Sequence, residues 1–519
     1  MTGDAASLLA GLDDEQRAAA ETLLGPVCIL AGAGTGKTRA ITHRIAYGVA
    51  AGAFPPGRVL ALTFTSRAAS ELRSRLRDLG VSGVAARTFH AAALSQLNFF
   101  WPTVVGGQLP SILNSKARVL ALAAENARIP ADTATLRDVA AEIEWRKVSG
   151  IGIDGYAEAA AARPAVGALS VEQVIDLQRR YEALKDERRQ FDFEDVLLAC
   201  TGMIAAEPAV ALHVREQYRF FVVDEYQDVS PIQQQLLDAW LGDRTDLCVV
   251  GDASQTIYSF AGARSDFLLD FGRHYPNPAV IRLEQNYRST AAIVDLANRL
   301  VRDLPGALVL RAARDTAAEH PREVPPPRIS EPSVLTDGAT PRIDAFRSDA
   351  QEARSVAESI AAELAAGCPA EDIAVLFRVN AQSAALEAAL EDAGVSFQVR
   401  GANRFFDRPE VKRAIMALRG ASVSISGEPL FKSVSDVLRS MGWSAQAPEG
   451  RGALRAEWES LNAIMELVDQ APEGTGFRAF TDELMERQAS SHEPTLHAVT
   501  LATIHSAKGL EWESVYLVG

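Results

Sequence analysis

Two short segments of the chain carry residue types suited to handling a polyphosphate. In the first, Ala31-Gly32-Ala33-Gly34-Thr35-Gly36-Lys37-Thr38 follows the apolar run Val27–Leu30 and opens a stretch with Ile41, Ile45 and Val49 at i, i+4 and i+8. Small residues let such a loop wrap closely, so backbone N–H groups and a helix N-terminus point at phosphate oxygens. Lys37 would reach the terminal phosphates, and the Thr38 hydroxyl would coordinate Mg²⁺. Ala31 stands where the usual pattern has Gly, and it too is small. In the second segment, the apolar run Phe220-Phe221-Val222-Val223 ends in Asp224-Glu225. Asp224 is placed to hold Mg²⁺ through water, and Glu225 to orient and deprotonate an attacking water. A glycine-rich structural turn and solvated loop acids are the bland alternatives. Strand, loop, helix and a second acid-tipped strand in one chain instead predict nucleoside triphosphate hydrolysis.

The elements that must position these residues are legible as patterns. Seven β-rich runs read as strands: Val27–Leu30, Val59–Phe64, Phe220–Val223, Leu247–Val250, Ile373–Phe377, Val499–Ile504 and Val515–Val518. Continuous apolar strands separated by helical stretches predict parallel α/β sheets covered on both faces. Residues 91 to 189 and 409 to 491 show helical character and read as insertions, and Asp315–Pro341, with Pro325–Pro327 consecutive, reads as an exposed connection. At 519 residues the chain has room for about three to five domains. Its 48% apolar content excludes a largely disordered protein, and no run of about 18 apolar residues could span a bilayer. Met1 to Gln16 lacks the layout of a signal peptide. Cys28, Cys200, Cys248 and Cys368 are too scattered for a disulfide framework or zinc cluster, so the expected location is cytoplasmic. The net charge is −15, yet Arg58 to His90 holds six Arg against Glu71 and Asp78. Whole-chain charge speaks to solubility and leaves a local anion-binding groove open.

Further segments, read in order, resemble the UvrD/Rep/PcrA-type superfamily 1 DNA helicases. They are Leu12–Arg17, Ala31–Arg39, Thr63–Ala69, Thr88-Phe89-His90, Asp224–Asp228, Val250–Phe260, Leu283–Thr290 and Thr503–Glu511. The bias of forty-five Arg over seven Lys fits a GC-rich, actinobacterial genome. The resemblance implies two RecA-like P-loop domains with parallel sheets, each interrupted by a mainly helical insertion, with ATP bound between them. Their expected bounds are 1–91 with 193–283 for the first domain and 92–192 for its insertion. The second domain would be 284–400 with 497–519, and 401–496 its reduced insertion.

For ATP, the resemblance implies Gln16 as the adenine reader and Ala31, Gly32, Ala33, Gly34, Thr35, Gly36, Lys37, Thr38 and Arg39 around the phosphates. Tyr287 would stack on the base, Arg288 reach the γ-phosphate, and Glu511 touch the ribose. Gln255 resembles the γ-phosphate sensor, and Mg²⁺ would lie at Thr38 and Asp224. For DNA, Phe64, Tyr258 and Phe260 match positions that stack single-strand bases, and Thr65, Arg67, Thr88, His90, Thr503 and His505 match phosphate contacts. Stacking suits a motor that must step past any base, because every base has a π-face.

The implied activity is ATP-dependent 3′ to 5′ helicase movement on single-stranded DNA and at single/double-strand junctions, in repair or replication restart. The motor of a helicase–nuclease, a protein-stripping translocase and an inert ATP- and DNA-binding module are the rivals. Several departures from the family pattern stand out. Phe260 replaces a common Trp, and Gly251-Asp252-Ala253-Ser254-Gln255 lacks two acids of the usual run. The second insertion is short and without a Gly-Ile-Gly hairpin; the chain's triplet of that kind is Gly150-Ile151-Gly152. The family's final motif, with a second γ-phosphate arginine, is expected beyond Gly519.

Overall fold

The computed structural model describes residues 5–113, 115–313, 339–400, 408–422, 428–446, 453–469, 471, 474–490 and 497–519. Most of the proline-rich connection, including Pro325–Pro327, lies outside the described residues. The chain divides into two compact units, Met1–Pro341 and Arg342–Gly519.

The first unit is built on six parallel strands: β1 (Val27–Ala31), β2 (Val59–Thr63), β3 (Ala85–Thr88), β4 (Phe220–Val223), β5 (Leu247–Gly251) and β6 (Ala279–Leu283). Their order across the sheet is β3-β2-β4-β5-β1-β6. Successive side chains on a strand point to opposite faces. Accordingly Cys28, Leu60, Leu62, Phe221, Val223 and Val249 enter one core, while Val27, Ile29, Ala61, Val222 and Val250 enter another. Helices α1 (Asp14–Glu21), α2 (Lys37–Ala50) and α3 (Ser66–Asp78) precede the insertion. Ile41 and Ile45 of α2, with Leu72 and Leu76 of α3, complete the second core. Two faces covered by helices explain why the four central strands read as unbroken apolar runs.

The strands of the six- and four-stranded sheets that pattern reading missed are β3, β6 and, in the second unit, Phe397–Val399. Each lies at the edge of its sheet and carries a polar residue inside the run: Arg87, Arg282 or Gln398. Half-covered strands need no continuous apolar sequence.

Between β3 and β4 the chain turns helical. α4 (Phe89–Val104) packs on the sheet, then α5 (Lys116–Ala127), α6 (Thr133–Val148) and α7 (Val171–Glu187) form a separate core around Leu120, Ile143, Leu177 and Tyr181. α8 (Phe193–Ala206) and α9 (Pro208–Gln217) return to the sheet, and α10 (Pro231–Leu241), after β4, joins the same core. At the root of the insertion, Lys147 Nζ lies 2.7 Å from both Asp192 and Asp195, and Lys185 Nζ lies 3.0 Å from Asp192 and 2.8 Å from Glu182. Asp192 also caps α8 in a reciprocal box with Asp195, each side chain accepting the other's backbone N–H at 3.0 Å.

The second unit carries β7 (Ile373–Phe377), β8 (Phe397–Val399), β9 (Val499–Thr503) and β10 (Ser514–Val518) in the parallel order β8-β9-β7-β10. Helices Asp349–Ala365 and Ser383–Ala393 cover it through Val356, Ile360, Leu386 and Leu390. Between β8 and β9, helices Pro409–Ala421, Leu430–Arg439, Ala453–Asp469 and Phe477–Ser490 contribute to a core with Leu418, Leu438, Trp443 and Ile464.

The compact units part at 341/342 rather than at the 283/284 boundary expected from the sequence. The physical reason lies at Asn286, whose Nδ2 donates to the Ala33 carbonyl at 2.7 Å. The short pairing of Gln285–Asn286 with Arg311–Ala312 then holds the following segment on the first unit. Among the described residues no single helix is long and apolar enough to cross a membrane.

Candidate functional site

In a parallel sheet the loops after the C-terminal strand ends share one edge, and ligands of open α/β sheets bind there. Every first-unit segment singled out after a strand falls on that edge. β1 leads into the glycine-rich loop, β2 into Phe64 and Thr65, and β3 into Phe89 and His90. β4 leads into Asp224 and Glu225, β5 into Asp252 and Gln255, and β6 into Tyr287 and Arg288.

Gly34 and Gly36 have φ of 70° and 79°, which only glycine adopts freely, and Gly36 caps α2 in that left-handed conformation. The Thr35 hydroxyl donates to the Gly32 carbonyl at 2.9 Å, closing the loop on itself. Gln16, expected to read adenine, is 3% exposed, and its Nε2 donates to the Thr35 carbonyl at 3.0 Å. Its amide thus clamps the loop in this structure. Arg39 donates to the Gly11 carbonyl at 2.7 Å, tying the N-terminal turn to the same helix. Tyr287 is 44% exposed; its backbone N–H donates to Gly34 O at 2.8 Å and its hydroxyl to Asp13. Arg288 lies beside it, with its Cβ against Gly34. Asn286, which the sequence reading passed over, orders this turn by accepting the Arg288 and Ser289 backbone N–H groups at 3.0 and 2.8 Å. Tyr287 and Arg288, expected from the second domain, therefore belong to the first compact unit. Glu511, Thr503 and His505 belong to the second, where Thr503 Oγ1 accepts the Ser506 N–H at 3.2 Å.

Lys37 Nζ lies 3.7 Å from Glu225 Oε1. Burial, and then the carboxylate of Glu225, push the Asp224 carboxyl up to about 7, with Lys37 opposing the rise. Two carboxylates thus face one ammonium. All the candidate donors, the Thr38 hydroxyl and the carboxylates, are hard oxygen ligands, and a divalent cation would supply the missing positive charge. The residues fit Mg²⁺. Glu225 itself has φ of 53°, a left-handed conformation costing about 1–2 kcal/mol in a residue with a side chain. The Asp228 N–H, donating to Glu225 O at 2.9 Å, helps hold it there.

The nucleic-acid set is laid out beside this. Phe64 is 40% exposed and stacks on Tyr258, with ring centroids 4.9 Å apart and planes at 24°. Phe260 follows at 6.4 Å from Tyr258 and is 64% exposed. Thr65 and Thr88 cap α3 and α4, accepting the Ala68 and Ala91 N–H groups at 3.1 and 3.2 Å. Arg67 is exposed in the first turn of α3. Burial lowers the His90 pKa to about 4 against a backbone hydrogen bond with Phe193 that raises it, so the imidazole is neutral at neutral pH. Phe193 meets the His90 ring edge-on at 5.5 Å and is exposed. Its motif-like position before an apolar helix gave no signal by pattern, because an aromatic there reads as core.

A six-stranded parallel sheet with a glycine-rich loop after β1 and an acid pair after β4 defines a RecA-like P-loop protein. The family model described as UvrD/REP helicase N-terminal domain matches residues 12–276, and that described as UvrD-like helicase C-terminal domain matches residues 281–446. The chain belongs to the UvrD/REP helicase family. It is 47% identical to the ATP-dependent DNA helicase UvrD2 of Mycobacterium tuberculosis, over 99% of this chain and 73% of that protein. It is 26% identical to the ATP-dependent DNA helicase PcrA of Bacillus subtilis, over 99% of this chain and 78% of that one. With the UvrD1 helicase of M. tuberculosis it shares 33% identity, over 79% of this chain and 52% of the relative.

Proposed function

We propose that this helicase moves 3′ to 5′ along single-stranded DNA, driven by ATP and Mg²⁺, and opens duplex at single/double-strand junctions during repair or replication restart. It would work in the cytoplasm, on the nucleoid. The observation that supports this most is the shared edge of the first sheet: Lys37, Asp224 and Glu225 lie on the same edge as the exposed Phe64–Tyr258 stack. A phosphate site beside sequence-tolerant base platforms is what coupling of hydrolysis to stepping requires.

In this reading the loop from Ala31 to Gly36 cradles the phosphates, and Lys37 compensates charge on the γ-phosphate as the transition state forms. Glu225 takes a proton from the water that attacks the γ-phosphorus. The bond to the β–γ bridging oxygen breaks, and ADP leaves with that electron pair. Thr38 and Asp224 would hold Mg²⁺, which screens the charge of the phosphates. Gln16 and Tyr287 take the adenine, Arg288 and Gln255 take the γ-phosphate, and Glu511 takes the ribose. Phe64, Tyr258 and Phe260 stack bases, while Thr65, Arg67, Thr88, His90, Thr503 and His505 contact DNA phosphates. His90 does so as a neutral donor.

The test is turnover of ATP by the purified chain with and without an oligo-dT strand, beside strand displacement from duplexes carrying a 3′ or a 5′ tail. DNA-stimulated turnover and displacement restricted to the 3′-tailed duplex are expected. Turnover indifferent to DNA would overturn the coupling, and displacement from 5′ tails would overturn the direction.

A further inference from the structure

Gln227 is the one fully buried carboxamide of the Asp224–Asp228 segment. Its Nε2 donates to Glu225 Oε2 at 2.5 Å, and its Oε1 accepts the Asp252 backbone N–H at 3.1 Å. A carboxamide flipped end for end would set N–H against N–H and C=O against carboxylate, so the two partners fix its orientation. The space is reserved for it: a Cβ at Gly251 would lie 2.5 Å from Gln227 Oε1. Tyr226 beside it is buried, and its hydroxyl donates to Gln234 Oε1 of α10 at 2.6 Å. The backbone of Gln227 is thereby held against a helix.

The other end of the link is a loop. Asp252 accepts the Ser254 N–H at 3.0 Å and Gln255 Nε2 at 2.8 Å, so it gathers the turn that continues to Tyr258 and Phe260. That turn ends on the exposed stack of Tyr258 with Phe64. One carboxamide therefore stands between the left-handed Glu225 and the loop bearing two exposed or half-exposed rings.

We infer that Gln227 is a positioning residue: it holds Glu225 in register with the loop from Asp252 to Phe260, so that a strand stacked on Phe64 and Tyr258 sets the orientation of the Glu225 carboxylate. This deepens the proposed function and rests on it. A displacement of the Asp252 N–H moves its acceptor, Gln227, and Gln227 carries the Glu225 oxygen it donates to. Misplacement of a reacting group by about 1 Å can cost about 100-fold in rate. A buried hydrogen-bond chain is thus stiff enough and the chemistry sensitive enough.

The experiment uses the full chain with Gln227→Met and with Gln227→Glu. The first keeps length and burial but loses the hydrogen bonds to Glu225 and Asp252 and a longer one, 3.5 Å, to Asp228 Oδ2. The second keeps shape and the Asp252 contact. Turnover is normalised to the fraction of protein that binds a fluorescent non-hydrolysable ATP analogue. In saturating oligo-dT, Gln227→Met should lose about 10-fold or more in kcat while KM for ATP changes by less than about twofold. The ratio of turnover with DNA to turnover without it should fall at least about fivefold. Gln227→Glu, which brings a second carboxylate oxygen to Glu225, should be no better than Gln227→Met. A stimulation ratio equal to that of the parent overturns the inference, as does loss of analogue binding in both variants, which would make Gln227 a support of the whole phosphate site. If the parent chain itself shows no stimulation by DNA, the proposed function fails first. A stimulated parent with equally stimulated variants removes only the role of Gln227.

Discussion

Lys37 and Lys147 both sit among aspartate and glutamate in the first unit, but their surroundings differ in balance. Around Lys147, three cations (Lys147, Lys185 and Arg146) meet three carboxylates (Asp192, Asp195 and Glu182), and the ammonium groups are almost wholly buried. Burial alone would raise the Asp192 carboxyl, but Lys147 and Lys185 outweigh it and hold that group well below the usual carboxylate range. At Asp195, burial outweighs the pull of Lys147 and Lys185 and, with Asp192, leaves that carboxyl raised. Burial works against the charge on Lys185 as well, and Asp192, Asp195 and Glu182 raise its pKa regardless. Around Lys37, Asp224 and Glu225 meet one ammonium; burial first, and then the Glu225 carboxylate, push the Asp224 carboxyl up to about 7 against the pull of Lys37. The closed cluster matches its charges one for one and fastens the insertion to α8. The open one is short of positive charge, which is the condition for taking a cation and a polyphosphate. Balance, more than composition, separates a structural ion cluster from a reactive one.

The largest expected effect breaks the open cluster. Lys37→Ala should lower DNA-stimulated ATP turnover by about 10³-fold or more, because charge on the γ-phosphate then goes uncompensated in the transition state. Melting should shift little, since Lys37 stands at a loop edge and supports no core. Near-parental turnover would remove Lys37 from the site.

The matching change in the closed cluster reverses the pattern. Lys147→Met leaves Asp192 and Asp195 buried with one cation fewer, and breaking such a cluster costs about 3–5 kcal/mol. A clear drop in thermal stability is expected, with ATP-analogue affinity below the melting point changed only a few-fold. Unchanged melting would show that the ion cluster is not what fastens the insertion.

How much of this was legible in the sequence depends on how far apart the partners lie. The glycine-rich loop and Asp224-Glu225 are contiguous, and each follows an apolar run, so local pattern found them. All seven runs read as strands form strands; burial demanded apolar residues in six of them, while the edge strand Ser514–Val518 leaves Val515 and Leu517 exposed. The closed cluster was invisible: Lys147 and Asp192 are 45 positions apart and each reads alone as a surface charge. Gln227 could be quoted within a motif, but its partner at Asp252 becomes adjacent only when β4 and β5 pair. The compact units part beyond the expected 283/284 junction for a related reason. Only in three dimensions does Asn286 reach back to Ala33. Phe64 shows the limit of periodicity, since it closes the run Val59–Phe64 and reads as core. β2 in fact ends at Thr63, Thr65 begins α3 as its cap, and the ring between them is turned outward.

That outward ring gives a third, smaller contrast, an uncharged contact beside the charged ones. Phe64→Ala should weaken binding of an oligo-dT strand by about 1–3 kcal/mol, the usual worth of one stacked base. The loss should persist at high salt, whereas Arg67→Ala should reduce the steepness of the salt dependence itself. A Phe64→Ala protein that binds normally once folded would return the ring to a structural role.

The smallest effect tests a titratable group whose response to burial is to lose charge rather than to gather partners. His90 lies on α4 with Phe193 of α8 edge-on to its ring, and burial lowers its pKa from 6.5 to about 4. The unfolded chain therefore binds a proton at His90 between those values while the folded chain does not, so folding must lose stability as pH falls through that window. Between about pH 7 and about pH 5.5 the loss from this one group is about 1 kcal/mol. In the open cluster the sign is opposite: Asp224, raised above its unfolded value, favours the folded state at low pH and gives that advantage up as pH rises toward about 7. Replacing His90 by Gln keeps a neutral hydrogen-bonding side chain and removes the titration. The stability of His90→Gln, followed by thermal melting across this range, should therefore fall less on acidification than that of the parent. Parallel curves for the two proteins would mean that His90 is solvated and free to ionise, and a charged contact to a DNA phosphate would then replace the neutral one proposed for it.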